Sequence, residues 1–110
     1  TRGIIGEKEF SAMKQGAILI NTARGALVDE KALLDALTET DTDGRARLSA
    51  AGLDVVTEEP ITSIHPLYQL PNVILTPHIG ANTEEALYRV GMACVDGIKE
   101  NALCFQKSVV

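Results

Sequence analysis

Apolar and polar residues alternate along the first half of the chain with the spacing of helices and strands in turn. Residues 7–15, EKEFSAMKQ, carry apolar side chains three positions apart and precede Gly16, which is typical of a helix end. The apolar run AILINT, residues 17–22, predicts a strand that is covered on both faces. Asp29 is a candidate cap for a second helix, which helical spacing predicts along residues 29–39.

The second half repeats this alternation after a polar link. Residues 38–47, TETDTDGRAR, are polar and mixed in charge, which indicates a solvated connection with no core of its own. Two further apolar runs predict strands, AAGLDVV over residues 50–56 and NVILT over residues 72–76. Strands that alternate with helices predict an α/β fold with a parallel sheet of about three strands and flanking helices.

A long last helix is predicted over about residues 83–100. It begins near Asn82 or Thr83, where Asn82 and Glu85 have the spacing of a capping box. Its apolar stripe keeps a helical period and consists of Leu87, Val90, Cys94 and Ile98.

Composition narrows the class of protein. The 110 residues match one ordinary domain, with 45% hydrophobic and 23% charged residues. A net charge of -5 argues against a nucleic-acid partner, and no apolar run is long enough to cross a bilayer, so we expect a cytoplasmic protein with no membrane partner. Cys94 and Cys104 have no metal-ligand spacing, so we expect free, partly buried thiols and no metal site.

Charged side chains follow each of the three predicted strands. Arg24 comes just after the first, Glu58 and Glu59 after the second, and His78 after the third. Ligands of parallel sheets bind beyond the carboxyl ends of the strands, so these groups are predicted to share the functional edge. Taken singly, each has a plainer explanation as a turn or loop residue, because Pro77 and glycines already account for the turns.

Together these groups suit one reaction. A guanidinium binds a carboxylate through two parallel hydrogen bonds, so Arg24 is the candidate anchor for a small 2-oxo acid. When a hydride reaches a carbonyl carbon, the oxygen gains negative charge that a protonated imidazole can neutralise, and His78 is the candidate donor. Glu59 is the natural carboxylate to orient that imidazole.

Three sequence blocks carry a family resemblance that covers nearly the whole chain. NTARGALVDEKALLDAL, AAGLDVVTEEP and HPLYQLPNVILTPHIGANTEEA, in this order, resemble the D-isomer-specific 2-hydroxyacid dehydrogenases, the family of D-3-phosphoglycerate dehydrogenase and glyoxylate/hydroxypyruvate reductase. The resemblance implies a Rossmann-type sheet, an NAD or NADP cofactor and a D-2-hydroxy or 2-oxo acid substrate. Because the strand AILINT would normally pair with a preceding strand that this sequence lacks, its open apolar edge leads us to expect a homodimer.

The resemblance assigns roles residue by residue. It makes Arg24, Glu59 and His78 the catalytic residues, with Glu59 chosen over Glu58 because the family's acid directly precedes proline. Arg24 and His78 would also face the cofactor, and the remaining cofactor contacts would be Thr22, Asp54 and Gly80.

The sequence lacks one feature that a complete enzyme of this family needs. No GxGxxG turn for the cofactor phosphates occurs, and the chain opens on TRGIIG without a methionine, so we expect a piece of a longer protein. Residues 1–110 would then be the C-terminal part of the nucleotide-binding domain, inactive alone, with the last helix leading towards a substrate domain. Two alternatives remain: a dinucleotide-sensing co-repressor on the same scaffold, and a small interaction module with vestigial site residues.

Overall fold

The computed structural model describes residues 2–108, and the side chains of residues 2–101. It divides into two compact units, one up to His78 and one from Ile79 onward. In chain order the elements are α1 (Glu7–Ala12), β1 (Ala17–Asn21), a 3₁₀ turn (Gly25–Leu27), α2 (Glu30–Thr38), β2 (Leu48–Leu53), a 3₁₀ turn (Pro66–Gln69), β3 (Val73–Leu75) and α3 (Glu84–Ser108).

The first unit contains the predicted parallel sheet. Its strand order is β1-β2-β3, and both neighbouring pairs are parallel. Ile20 lies opposite Gly52 in the first pair, and Leu53 lies opposite Leu75 in the second. The prediction of a partial Rossmann-type α/β sheet with flanking helices is therefore confirmed, and all three strands point their carboxyl ends to the same edge.

One face of the sheet is packed and the other is open. Helix α1 packs on α2, and α2 packs on β2 and on the second 3₁₀ turn. The resulting core is formed by Phe10, Val28, Leu33, Leu37, Leu48, Ala51, Leu53, Val56 and Leu67.

The expectation that β1 is covered on both faces is wrong. Ile18 and Ile20 are 65% and 73% exposed, and Ile74 of β3 is 71% exposed. These side chains alternate with inward-facing neighbours, since successive residues of a strand point to opposite faces. Apolar composition alone does not distinguish one packed face from two, because the side chains of both faces are hydrophobic here.

The first helix is shorter than predicted. It ends at Ala12 because Met13 has an extended backbone with ψ 156° and packs against the core. Gly16, at φ +77°, belongs instead to the turn in which the Ala17 N–H donates to the Lys14 carbonyl at 3.0 Å. The glycine thus starts β1 and does not close α1.

Boundaries elsewhere in the first unit move by one to three residues. In the second unit α3 runs to Ser108, about eight residues beyond its predicted end near residue 100. Strand β2 begins two residues earlier than predicted and ends at Leu53, so Asp54 lies in the loop beyond it. Strand β3 is shortened at each end, and β1 ends one residue early, at Asn21. Asp29 caps α2 as predicted, because its carboxylate accepts the Ala32 N–H at 3.0 Å.

The second unit contains the predicted long helix. Thr83 caps it by accepting the Ala86 N–H at 3.1 Å, so the Asn82–Glu85 capping box is wrong. Glu85 instead lies 3.9 Å from Arg89 of the next turn. The predicted stripe is exposed, with Leu87 at 61%, and its neighbour Tyr88 is 70% exposed.

The cysteine prediction is corrected in part. Cys94 is a free thiol, as expected, but it is exposed and not partly buried. The side chain of Cys104 lies outside the described residues. Within residues 2–108, no helix is long and apolar enough to cross a membrane.

Candidate active site

The three loops that leave the carboxyl edge of the sheet carry the predicted groups. Arg24 follows β1, Glu59 follows β2 and His78 follows β3. The parallel topology therefore places all three segments at one edge, as the sequence predicts.

Glu59 and His78 are in direct contact. Glu59 Oε2 lies 2.6 Å from His78 Nδ1, and the side chains are 36% and 51% exposed. The short distance is typical of a hydrogen bond in which one partner is ionised. A carboxylate on Nδ1 fixes the orientation of the ring and directs Nε2 away from the acid.

Glu59 is itself held by the backbone. The Val56 N–H donates to Glu59 Oε1 at 2.9 Å, so both carboxylate oxygens are engaged. The Val56 N–H first, and His78 second, hold the pKa of Glu59 below its ordinary value of 4.5. Glu59 is therefore ionised at neutral pH, as an acid that orients an imidazole must be.

The backbone of His78 has an unusual conformation. Its φ is +54°, in the left-handed region that non-glycine residues seldom occupy. The His78 N–H donates to the Thr76 carbonyl at 3.0 Å across this tight turn. Such conformations cost roughly 1–3 kcal/mol and cluster at functional sites. Pro77 and the nearby glycine would account for an ordinary turn, but they do not account for the left-handed backbone of His78 itself.

The other histidine provides a contrast. His65 caps the second 3₁₀ turn, with Nδ1 accepting the Leu67 N–H at 3.2 Å, and its ring lies 5.3 Å from that of Tyr68. Its contacts are those of a structural residue. Only His78 combines a carboxylate partner with a position at the carboxyl edge.

Asp54 lies beside this pair and is 7% exposed. Its carboxylate accepts the Thr76 hydroxyl at 2.5 Å, and its N–H donates to the Asn21 carbonyl at 3.0 Å. Thr76 thus contacts Asp54 through its side chain and His78 through its carbonyl. The sequence analysis missed Thr76, although a hydroxyl at the end of an apolar strand was a signal.

Arg24 is close in the fold but does not join the pair. Its guanidinium donates to the Ala23 carbonyl at 2.6 Å, and no hydrogen bond or ion pair in the described part of the chain links it to Glu59 or His78. Thr22, at the end of the same strand, is exposed. Gly80 belongs to the second unit, so its predicted role stays a prediction.

Two further residues at the end of β1 and in the loop after it were not predicted from the sequence. Asn21 is 7% exposed, and its side chain donates to the Arg24 carbonyl and accepts the Ala23 N–H. A Cβ at Gly25 would lie 2.0 Å from the backbone carbon of Val56. Only glycine lets the Arg24 loop approach the Glu59 loop this closely.

A cavity of about 380 Å³ opens at the Glu59–His78 pair. Its apolar walls come from Val56, Pro60, Ile61, Leu75 and Pro77, and its polar lining from Asp54, Glu59, Thr76 and His78. Apolar walls with a few convergent polar groups are typical of small-molecule sites. The arrangement suits a flat ring against the apolar wall and a proton exchange at His78.

Comparison with known proteins shows which family this chain resembles. The family model described as "D-isomer specific 2-hydroxyacid dehydrogenase, NAD binding domain" matches residues 1–80. The chain is 48% identical over 100 residues to a D-3-phosphoglycerate dehydrogenase of Methanocaldococcus jannaschii, covering 91% of this chain and 18% of that protein. It is 44% identical over 98 residues to glyoxylate/hydroxypyruvate reductase B of Pectobacterium atrosepticum, covering 89% of this chain and 29% of that protein.

A solved relative supports the fold. An acyclic imino acid reductase in complex with NADPH and D-Arg superposes with a TM-score of 0.80 at 35% identity, over 94% of this chain and 31% of that one. The chain thus spans less than a third of the length of each of these relatives. With the family match over residues 1–80, these likenesses show that the chain belongs to the D-isomer specific 2-hydroxyacid dehydrogenase family.

Proposed function

We propose that this chain forms the catalytic part of an NAD(P)-dependent oxidoreductase that interconverts a D-2-hydroxy acid and its 2-oxo acid. The observation that carries the proposal is the Glu59–His78 hydrogen bond of 2.6 Å at the mouth of an apolar cavity. Residues 1–110 supply this catalytic edge as the C-terminal part of a nucleotide-binding domain. A phosphate-binding turn and a substrate domain complete the site, and the relatives have the additional length for both.

In the reducing direction His78 is the proton donor. As a hydride arrives at the carbonyl carbon, the C=O double bond becomes a single bond and its electron pair moves to oxygen. His78 Nε2 gives its proton to that oxygen, which yields the hydroxyl group. Glu59 stabilises the protonated ring through Nδ1 and keeps Nε2 directed at the substrate.

Arg24 is proposed to hold the substrate carboxylate. Its side chain is exposed and bonded only to a neighbouring carbonyl, so a planar carboxylate can replace that contact with two charge-assisted bonds. The close packing of Gly25 against the Val56–Thr57 backbone keeps the Arg24 loop beside the Glu59 loop. The structure thus permits the guanidinium to turn towards the acid while its backbone stays fixed.

The cavity fits a nicotinamide ring. Leu75, Pro77 and Val56 provide an apolar wall beside His78, and the Asp54 carboxylate lies at its polar end as an acceptor for a carboxamide. Thr22 is proposed to complete this contact surface, whereas the cofactor role of Gly80 stays a prediction from the sequence. NAD or NADP, when bound, supplies or accepts the hydride.

We further propose that the protein acts in the cytoplasm as a homodimer on a small acid substrate. The exposed free thiol of Cys94 suits a reducing compartment. Strand β1 is an edge of the described sheet with two exposed isoleucines, and unprotected edges pair with other chains.

A chimaera tests the proposed activity. The matching 98-residue segment of the Pectobacterium atrosepticum reductase is replaced by this chain's segment, so that the host supplies the missing parts. We expect the chimaera to oxidise NADH or NADPH with glyoxylate or hydroxypyruvate. A folded chimaera that binds the cofactor but reduces no 2-oxo acid would contradict the proposal. Cofactor-dependent capture of a peptide without turnover would favour a co-repressor role.

A further inference from the structure

Glu30 connects α2 to the loop that carries the catalytic acid. It is half-buried in the first turn of that helix, and its Oε1 accepts the Thr57 N–H at 2.7 Å. The bond joins residues 27 positions apart in sequence, so it ties two separate segments together.

Two successive peptide units, which share the Val56 Cα, are each held by a glutamate. The Val56 N–H, in the first unit, donates to Glu59, and the Thr57 N–H, in the second, donates to Glu30. Gly25 packs against the second unit, since a Cβ there would lie 2.0 Å from the Val56 carbonyl carbon and 2.5 Å from the Thr57 nitrogen. Because the two units are joined at the Val56 Cα, movement of the Thr57 peptide would also move the N–H that holds Oε1 of Glu59.

We propose that Glu30 is a positioning residue for the Glu59–His78 pair, acting through the Thr57 amide. Glu30 is not among the residues that line the cavity, and within the described residues no hydrogen bond or ion pair links it to His78. Its bond fixes the loop, the loop directs the Val56 N–H, and that N–H orients the acid. The expected effect of Glu30 on turnover rests on the proposed function, whereas its effect on the geometry of the Glu59–His78 pair does not.

Glu30 has a second possible role, which a crossed pair of variants separates from the first. A carboxylate in the first turn of a helix is favourable for the positive end of the helix dipole. Glu30→Gln removes that charge but keeps an oxygen that can accept the Thr57 N–H. Glu30→Asp keeps the charge but is one methylene too short to reach it. If Glu30 positions the loop, only Glu30→Asp should disturb the Glu59–His78 pair. If the charge of Glu30 at the helix end is what matters, only Glu30→Gln should have an effect.

The direct readout is the titration of the Glu59 carboxyl carbon, followed by NMR in the full chain with labelled glutamate. We expect Glu30→Asp to raise the pKa of Glu59 towards its ordinary value of 4.5, since the Val56 bond loosens. Glu30→Gln should leave that pKa within error of the wild-type value. Glu39→Asp, which shortens a glutamate at the far end of the same helix, is the matched control and should change nothing.

The second readout is turnover in the chimaera. Glu30→Asp should lower kcat by about tenfold or more with little change in KM, because misplacement of a catalytic group penalises the transition state. Glu30→Gln should keep most of the wild-type kcat.

Each outcome decides the inference. An unchanged Glu59 pKa in Glu30→Asp, or a shift in Glu30→Gln alone, would overturn it. If Glu30→Asp does not fold, amide hydrogen exchange in the wild-type chain serves as the test. The Thr57 N–H must then exchange more slowly than the Glu58 N–H. Equal exchange rates would refute the hydrogen bond between Thr57 and Glu30. An inactive wild-type chimaera would count against the proposed function, and the titration would still judge Glu30.

Discussion

At the scale of single residues, the site depends on a carboxylate that stays ionised. Both oxygens of Glu59 are engaged, one by the Val56 N–H and one by His78. A proton on Glu59 would remove the negative charge that strengthens both bonds. The pair is therefore strongest while Glu59 is charged.

This charge gives the stability of the fold a defined pH dependence. The pKa of Glu59 is lowered in the folded state, so its ionised form stabilises the fold above pH 4.5, its ordinary value. That contribution is lost as the pH falls through the lowered folded value. The difference in unfolding free energy between wild type and Glu59→Gln should thus be present at pH 5 and shrink as the pH falls below about 4.5. Urea denaturation at several pH values measures it, and a difference already lost at pH 5 would be inconsistent with the lowered pKa.

Arg24 leads to a kinetic prediction. A lysine keeps the charge but not the planar pair of donors, so Arg24→Lys should weaken the binding of the acid. We expect KM for the 2-oxo acid to rise about tenfold or more in the chimaera, with a smaller change in kcat, given the strength of a charge-assisted hydrogen bond. Steady-state kinetics measure both values. An unchanged KM would remove Arg24 from substrate binding.

At the scale of elements, the close approach of two loops defines the geometry of the site. Gly25 allows the loop after β1 to lie on the Val56–Thr57 peptide after β2. Because the obstructing atoms are backbone, no side-chain rotation can make room for a methyl group.

Gly25→Ala should therefore destabilise the fold by about 1–3 kcal/mol, the usual penalty of overpacking. It should also separate Arg24 from the acid loop and lower turnover. The control is Gly91→Ala on α3, where a Cβ meets nothing within 4 Å and should stabilise the helix by about 0.5–1 kcal/mol. Thermal or urea unfolding measures both. Equal stabilities for Gly25→Ala and wild type would show that the loops can separate freely.

The sequence predicted the elements and the functional edge better than the contacts between loops. Apolar runs predicted the three strands, and the helical spacing of apolar residues predicted α2 and α3. These patterns could not predict Gly25, Glu30 or Thr76, because their partners are distant in sequence and the pairing follows from the fold. The bare face with Ile18 and Ile20 was missed for a related reason, since a strand's composition does not report what covers it.

The predicted site residues divide in the same way. Glu59 and His78 lie in the loops after two neighbouring parallel strands, and the topology brings those loops to one edge of the sheet. Arg24 also follows a neighbouring strand, yet its long side chain turns back to its own backbone. Strand position determines where a loop lies, and the rotamers of a flexible side chain are decided by local partners.

At the scale of the whole molecule, two features matter: β1 is an edge of the described sheet, and the sequence lacks a turn for the cofactor phosphates. The 110 residues contain no GxGxxG turn, so a cofactor would lack its phosphate cradle. We expect the isolated chain to show no measurable turnover of NADH with glyoxylate or hydroxypyruvate. Robust activity of the purified chain would contradict the proposal that turnover needs a phosphate-binding turn and a substrate domain in addition to these residues.

The open edge predicts self-association of the isolated chain. Ile18 and Ile20 should promote pairing through β1, and Ile20→Lys should weaken it, because charge on an edge strand discourages pairing. Sedimentation at increasing concentration measures this, with Lys8→Arg as a charge-conserving control on α1. A compact monomer at high concentration would rule out association through this edge.

The most direct test of the central claim is the kcat of His78→Gln in the chimaera, measured together with its affinity for NADH. If His78 exchanges the proton, kcat should fall by about a hundredfold or more, whereas the Kd for NADH should change little. A turnover close to that of the unsubstituted chimaera, at saturating cofactor and acid, would contradict the proton-transfer role and the account built on the Glu59–His78 pair.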